Sequence, residues 1–217
     1  MHYRKLLSLA RPLTLWLAAA STVMTVSACA PVVLGGALVG TMAATDRRTV
    51  GIQVEDQNIE LKASARLSNR YGDKGHINAT SYSRKVLLTG EVPTDAAKQD
   101  AEQVVLGIEN VRGVVNELAV APPSSLSTRS NDVLIEGKIK ASLIDAKDLF
   151  ANSFHIVVER GTVYLMGRVT DREGKRGAAI AAGVSGVNKV VKVFDYITEE
   201  ELQGLAKTKS DEDKAAP

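Results

Sequence analysis

The chain repeats itself, and the repeat limits how large any single core can be. Val54 to Val120 matches Asn131 to Ile197 at an offset of 76 or 77 residues. Asp56-x-x-Ile59 recurs as Asp132-x-x-Ile135, and Leu67 recurs as Leu143. Val86-Leu87-Leu88-Thr89-Gly90-Glu91-Val92 recurs as Val163-Tyr164-Leu165-Met166-Gly167-Arg168-Val169. Thr94-Asp95 returns as Thr170-Asp171, and Gly107-Ile108-Glu109-Asn110-Val111 as Gly183-Val184-Ser185-Gly186-Val187. Internal matches of this kind mark duplication of one structural unit. Each unit is small enough that its own core is only marginally sufficient.

Each copy is predicted to be α-β-β-α-β, an α+β unit with a small three-stranded sheet packed on two helices. Ile135, Ile139, Leu143 and Ala146 share one helical face, and Asp56 or Asp132 is expected to cap the first helix. Two alternating stretches follow, Ile77 to Thr80 and Val86 to Val92 in copy one, Phe154 to Val158 and Thr162 to Val169 in copy two. Arg160-Gly161 reads as the tight turn between strands. Thr94-Asp95 and Thr170-Asp171 start the second helix, which ends near Gly107 or Gly183. Val111 to Val120 and Val187 to Ile197 close the units as strands. The expected boundaries are 54–120 and 131–197, with a Pro- and Ser-rich linker at 121–130 and a flexible acidic tail at 198–217.

The N-terminus is an address. Arg4, Lys5 and Arg11 precede the apolar stretch Leu13 to Ala28, which is too short to span a bilayer as a helix. It ends in Val26-Ser27-Ala28-Cys29, which resembles the bacterial lipobox. That resemblance implies cleavage of 1–28, lipidation of Cys29 with diacylglyceryl and N-acyl (palmitate-type) chains, and, with Ala30 following, sorting to the outer membrane. Multiple acyl chains give stable anchoring, at about 0.8 kcal/mol per buried methylene. Residues 29–53 form the lipidated tether. A single cysteine makes no intrachain disulfide and no cysteine-based zinc site.

Two α-β-β-α-β units, each with V-x-L-x-G-x-V, a Thr-Asp helix start and G-[IV]-x-x-V, resemble tandem BON domains. With the lipobox and the lead-in Thr49 to Val54, the chain is similar to dual-BON outer-membrane lipoproteins. The resemblance implies a non-catalytic envelope protein whose second BON domain binds anionic phospholipid such as phosphatidylglycerol. It also implies roles in outer-membrane integrity and at the division site.

The residues point to the same domain. On a 100° helical wheel, Val133, Leu134, Gly137, Ala141 and Ile144 lie opposite the core-facing Ile135, Ile139 and Leu143, and Lys138 and Lys140 flank them. The aligned positions in copy one are Gln57, Asn58, Leu61, Ala65 and Ser68, mostly polar or small. An apolar strip edged by lysines suits a bilayer interface with anionic head groups. Residues 131–197 hold ten basic and eight acidic side chains, whereas 54–120 hold eight and ten. Val133, Leu134, Gly137, Lys138, Lys140, Ala141 and Ile144 are therefore the expected phospholipid-binding residues.

Nothing in the sequence points to catalysis, a cofactor or a nucleic-acid partner. The formal net charge of +2 makes no concentrated basic stripe. His76 is expected in a loop and His155 in a strand, and no nucleophile elbow, phosphate loop or metal-ligand spacing is present. Asp171 and Glu173 read as a helix start rather than a carboxylate pair. The alternative function is a periplasmic protein-interaction adaptor or chaperone-like factor for envelope assembly or cell-wall remodelling. A third is a structural tether with its domains docked on each other.

Overall fold

A computed structural model describes residues 46–205; the signal segment, Cys29, the tether up to 45 and the tail from 206 lie outside the described residues. The element order is α1 (Val50–Tyr71), β1 (His76–Tyr82), β2 (Lys85–Val92), α2 (Asp95–Leu106), β3 (Gly113–Asn116), β4 (Ala119–Val120), α3 (Leu126–Asp145), β5 (His155–Glu159), β6 (Thr162–Val169), α4 (Asp171–Ala182) and β7 (Lys189–Tyr196). Each copy is thus α-β-β-α-β, as the repeat predicts. In copy one the last strand is interrupted at Glu117–Leu118, so β3 and β4 pair with β2 as two segments. In both copies the hairpin is antiparallel and the last strand is parallel to the middle one. The intervening helix makes the crossover that a parallel pair requires.

The first helix of each copy starts earlier than the aspartates suggest. Thr49 caps α1 through its side chain on the Ile52 amide, and Ser125 caps α3 on the Thr128 amide. Leu126 to Ser130, expected in the linker, are instead the opening of α3, because Ser125 supplies the acceptor that the free amides need.

Asp56 and Asp132 are not caps of their own helices. Both are buried one turn or more inside them and accept hydrogen bonds from the hairpin turn of the same copy. The Asp132 carboxylate takes the Arg160 and Gly161 amides at 2.8 and 2.9 Å. Asp56 takes the Ser83 and Arg84 amides at 2.8 and 2.7 Å and the Ser81 hydroxyl at 2.7 Å. These two-residue turns have positive φ at both central residues, 51° and 66° at Ser83 and Arg84, 52° and 72° at Arg160 and Gly161. That is the type I′ geometry that matches strand twist. Left-handed non-glycine residues are disfavoured, and the carboxylate offsets that cost by satisfying both turn amides.

The glycine of V-x-L-x-G-x-V also has a structural cause. Gly90 and Gly167 have φ of 107° and 155°, and a Cβ on them would stand 2.0 Å from the His76 carbonyl oxygen and 2.2 Å from that of Ser153. The backbones meet where only hydrogen fits.

Three apolar clusters hold the two copies. One, with Ile59, Ala63, Leu67, Val86, Leu88 and Val105, lies between the helices and sheet of copy one. The second, with Ile135, Ile139, Leu143, Phe154, Leu165 and Phe194, is its counterpart in copy two. The third joins the copies: Tyr82 and Leu87 from one sheet meet Tyr164, Met166 and Val193 from the other. Alternation along each strand sends Leu88 inward and Leu87 outward, so both faces of each sheet are buried. The result is four layers, helices, sheet, sheet, helices. The paired sheets supply burial that a unit of this size lacks alone.

Polar contacts frame this junction. Lys85 Nζ bonds Asp195 Oδ1 at 2.5 Å, and the Arg168 amide donates to the Tyr82 hydroxyl at 3.3 Å. Arg47, just ahead of α1, holds Glu173 at the start of α4 through two hydrogen bonds of 2.8 Å and donates a third to the Arg168 carbonyl. Glu173 also closes a capping box with Thr170. Burial works to raise its carboxyl, but the Arg47 pair and the Thr170 amide outweigh it and hold the group below the ordinary 4.5.

The segment expected to be a flexible acidic tail begins as helix at 199–205, started by a reciprocal pair in which Thr198 Oγ1 accepts the Glu201 amide and Glu201 accepts the Thr198 amide. Glu199, Glu200 and Glu201 fill its first turn, where acidic charge is favoured by the helix dipole. Asp211 to Asp213 lie outside the described residues.

Candidate membrane-facing surface

The candidate surface is the outward face of α3. Its inward face is fixed by Ile135, Ile139 and Leu143, all buried in the second core. With that face committed, the helical period turns Val133, Leu134, Gly137, Ala141 and Ile144 outward, and the structure exposes all five. Val133, Leu134 and Ile144 are 67%, 63% and 63% exposed. Lys138 is exposed and Lys140 half-buried, on opposite edges of the strip, and neither enters a salt bridge among the described residues. A helix apolar on both faces is normally buried on both; here one face is in water.

Docking of the two copies leaves this face free. The sheets face each other, so α3 sits in an outer layer and its apolar strip is not used to hold copy one. Copy one therefore does not cover Val133 and Leu134.

The strip is also longer than the sequence reading made it. Leu126, 79% exposed, lies at the same helical angle as Ile144. From Leu126 to Ile144 the strip runs about 27 Å at 1.5 Å per residue. Leu126 falls in the expected linker, and Ser125 followed by an apolar residue is the sequence signal that places it in the helix instead. Phe150, 45% exposed, follows the helix by five residues and adds an aromatic ring to the same domain's surface.

The contrast with copy one is narrower than the five aligned positions imply. Leu61 is 70% exposed, and Val50 and Val54, which precede the five compared positions, are 63% and 52% exposed on the same side of α1. What distinguishes α3 is that its large apolar residues continue to the last turn, where α1 has Ser68 in place of Ile144. Among the described residues no helix is long and apolar enough to cross a membrane. His76, expected in a loop, is the first residue of β1, while His155 lies in β5.

Two layered α-β-β-α-β units built on one repeated motif define a class. The BON domain family model matches residues 55–122 and 131–198, together more than half of the chain, and the chain belongs to that family. It is similar to the outer membrane lipoprotein DolP of Haemophilus influenzae, with 36% identity over 171 residues, covering 78% of this chain and 89% of the relative. It is also similar to the 21 kDa hemolysin of Actinobacillus pleuropneumoniae, with 32% identity over 154 residues, covering 70% and 79%. Among solved structures, CdsD, a structural protein of the type III secretion system of Chlamydia trachomatis, aligns at 11% identity with a TM-score of 0.27, covering 69% of this chain and 97% of that one. A score that low carries no argument.

Proposed function

We propose that this protein is an outer-membrane lipoprotein, anchored through Cys29, whose second BON domain lays the outward face of α3 onto an anionic phospholipid surface. The observation that carries the reading is the exposed strip Leu126, Val133, Leu134, Gly137, Ala141 and Ile144, edged by Lys138 and Lys140. The similarity to an outer membrane lipoprotein supports the location, and the lipobox-like Val26 to Cys29 supports the anchor. The protein faces the periplasm, binds rather than catalyses, and supports outer-membrane integrity, with action at the division site as its finest-grained expectation.

Magnitudes favour an interfacial mode. Fully burying a Leu, Val or Ile side chain is worth about 1.5–3 kcal/mol, and each lysine near an anionic surface about 1 kcal/mol. Four large residues that are two-thirds exposed, plus two lysines, supply several kcal/mol, enough for reversible docking of a domain already tethered by acyl chains. The tether keeps the domain at high local concentration, so weak intrinsic affinity suffices.

The test uses unlipidated chain 46–217 and sedimentation with phosphatidylglycerol vesicles. Leu134→Asp with Lys138→Glu removes one apolar anchor and reverses one charge, and the two losses together predict about a thousandfold weaker binding, 1.4 kcal/mol being tenfold. Binding equal to wild type would remove this surface from the account. The adaptor reading rests on a separate observation, the exposed Val50, Val54 and Leu61 of α1. In-cell crosslinking from Leu61 would identify an envelope-assembly or cell-wall remodelling partner there.

A further inference from the structure

We propose that the junction between the two domains holds a divalent cation of the zinc class, ligated by His76 and Glu91 of the first domain and Glu159 of the second. One donor atom from each lies within 4.8 Å of the others. They come from β1, β2 and β5, and the sheet register explains the meeting: His76 is paired with Glu91 across the first hairpin, and Glu159 ends β5 on the facing sheet.

The second observation is unmet hydrogen-bonding capacity at this spot. Glu91 is fully buried, yet its Oε1 makes no hydrogen bond and has only the Arg160 guanidinium at 3.5 Å, and His76 Nδ1, which also makes none, stands 3.3 Å from Glu91 Oε2. Buried polar atoms are overwhelmingly satisfied in folded proteins, so a cluster of orphans asks for a missing water or ion. The remaining oxygens are held in place as supporting groups hold metal ligands: Glu91 Oε2 accepts the Ser124 amide at 3.1 Å, and Glu159 Oε2 accepts Asn78 Nδ2 at 3.1 Å.

Charge points the same way. Two carboxylates, Glu91 and Glu159, share a buried junction, and like charges held together away from water are relieved by a cation between them. The positive group across from them is Arg160, whose Nη1 stands 3.5 Å from Glu91 Oε1 on a side chain 47% exposed. It is placed to move toward solvent when a cation enters. One imidazole nitrogen and two carboxylates form a borderline donor set that suits Zn²⁺ over Mg²⁺ or Ca²⁺, with a water completing four-coordination. The side chain of His76, 22% exposed, marks the entry side. Because the ligands belong to both domains, the ion would clamp them together.

The experiment uses full-length lipoprotein purified in detergent, stripped with EDTA and dialysed. Titration calorimetry with ZnCl₂ should give one site per chain, and Co²⁺ should give the intense d–d absorption of a four-coordinate site. Glu159→Gln, which keeps an acceptor for Asn78, and His76→Gln should each weaken zinc binding at least about tenfold, as loss of a ligand requires. Arg160→Ala should tighten it by removing a competing cation. Should a variant fold poorly, the thermal midpoint of the wild-type chain decides: ZnCl₂ is expected to raise it relative to EDTA. No stoichiometric zinc binding by wild type, binding unchanged in both glutamine variants, or an unmoved midpoint would each overturn the proposal.

Discussion

Replacing Asp132 with alanine tests whether a residue inside a helix governs a turn 28 residues away. The Arg160 and Gly161 amides, at 2.8 and 2.9 Å from its carboxylate, would lose their acceptor. A buried donor left without a partner costs about 1–3 kcal/mol, so two amides lose about 2–6 kcal/mol. Water reaching the exposed Arg160 side of the turn brings the expectation toward about 3 kcal/mol, a large share of the 5–15 kcal/mol typical of a folded domain. Asp132→Asn keeps one acceptor but turns an amide N–H toward the other donor, and should cost about half as much. Urea unfolding of each variant reads the loss, and amide hydrogen exchange reads its place. Protection should fall first at Arg160 and Gly161, with the first turn of α3 unchanged because Ser125 caps it. A loss under about 0.5 kcal/mol, the range of ordinary surface substitutions, or exchange that rises at the helix start instead, would refute the reasoning.

Two further predictions concern the junction and the glycine motif. Arg47→Ala breaks a buried pair with Glu173, whose side chains are 8% and 4% exposed, and should cost about 3 kcal/mol by chemical denaturation. Because the folded Glu173 carboxyl lies below its ordinary 4.5, its contribution is present above that pH and is lost as pH falls through the depressed folded value. The wild-type advantage over Arg47→Ala should therefore be full at neutral pH and shrink below about pH 4.5. Gly167→Ala puts a Cβ 2.2 Å from the Ser153 carbonyl oxygen and should unfold the second domain, lowering the thermal midpoint by far more than Gly137→Ala, where nothing lies within 4 Å.

The repeat made the order of elements legible because helix and strand periods survive duplication. Ile135, Ile139 and Leu143 announce a core face, and that face determines what must point outward. The aspartates misled because an Asp ahead of an apolar helix has the composition of a cap. Only the hairpin, brought back over the helix by tertiary packing, shows that the carboxylate serves Arg160 and Gly161 instead. Leu126 was hidden by the serines and prolines before it, since linker composition and a capped helix start share the same residues. The sheet-to-sheet junction was not read from the sequence: Val86-Leu87-Leu88 is apolar at consecutive positions, as in a strand covered on both faces, but Thr89-Gly90-Glu91 interrupts that pattern. The meeting of His76, Glu91 and Glu159 was not visible, since three strands of two domains contribute one residue each and no local spacing records it.

Lipid titration of isotopically labelled chain 46–217, followed by amide NMR, tests the central claim most directly. As phosphatidylglycerol micelles are added, signals from Leu126, Val133, Leu134, Gly137, Lys138 and Ile144 should shift or broaden together, while Val50, Val54 and Leu61 of α1 stay in place. Responses confined to α1 or spread evenly over both domains would contradict a membrane-facing α3.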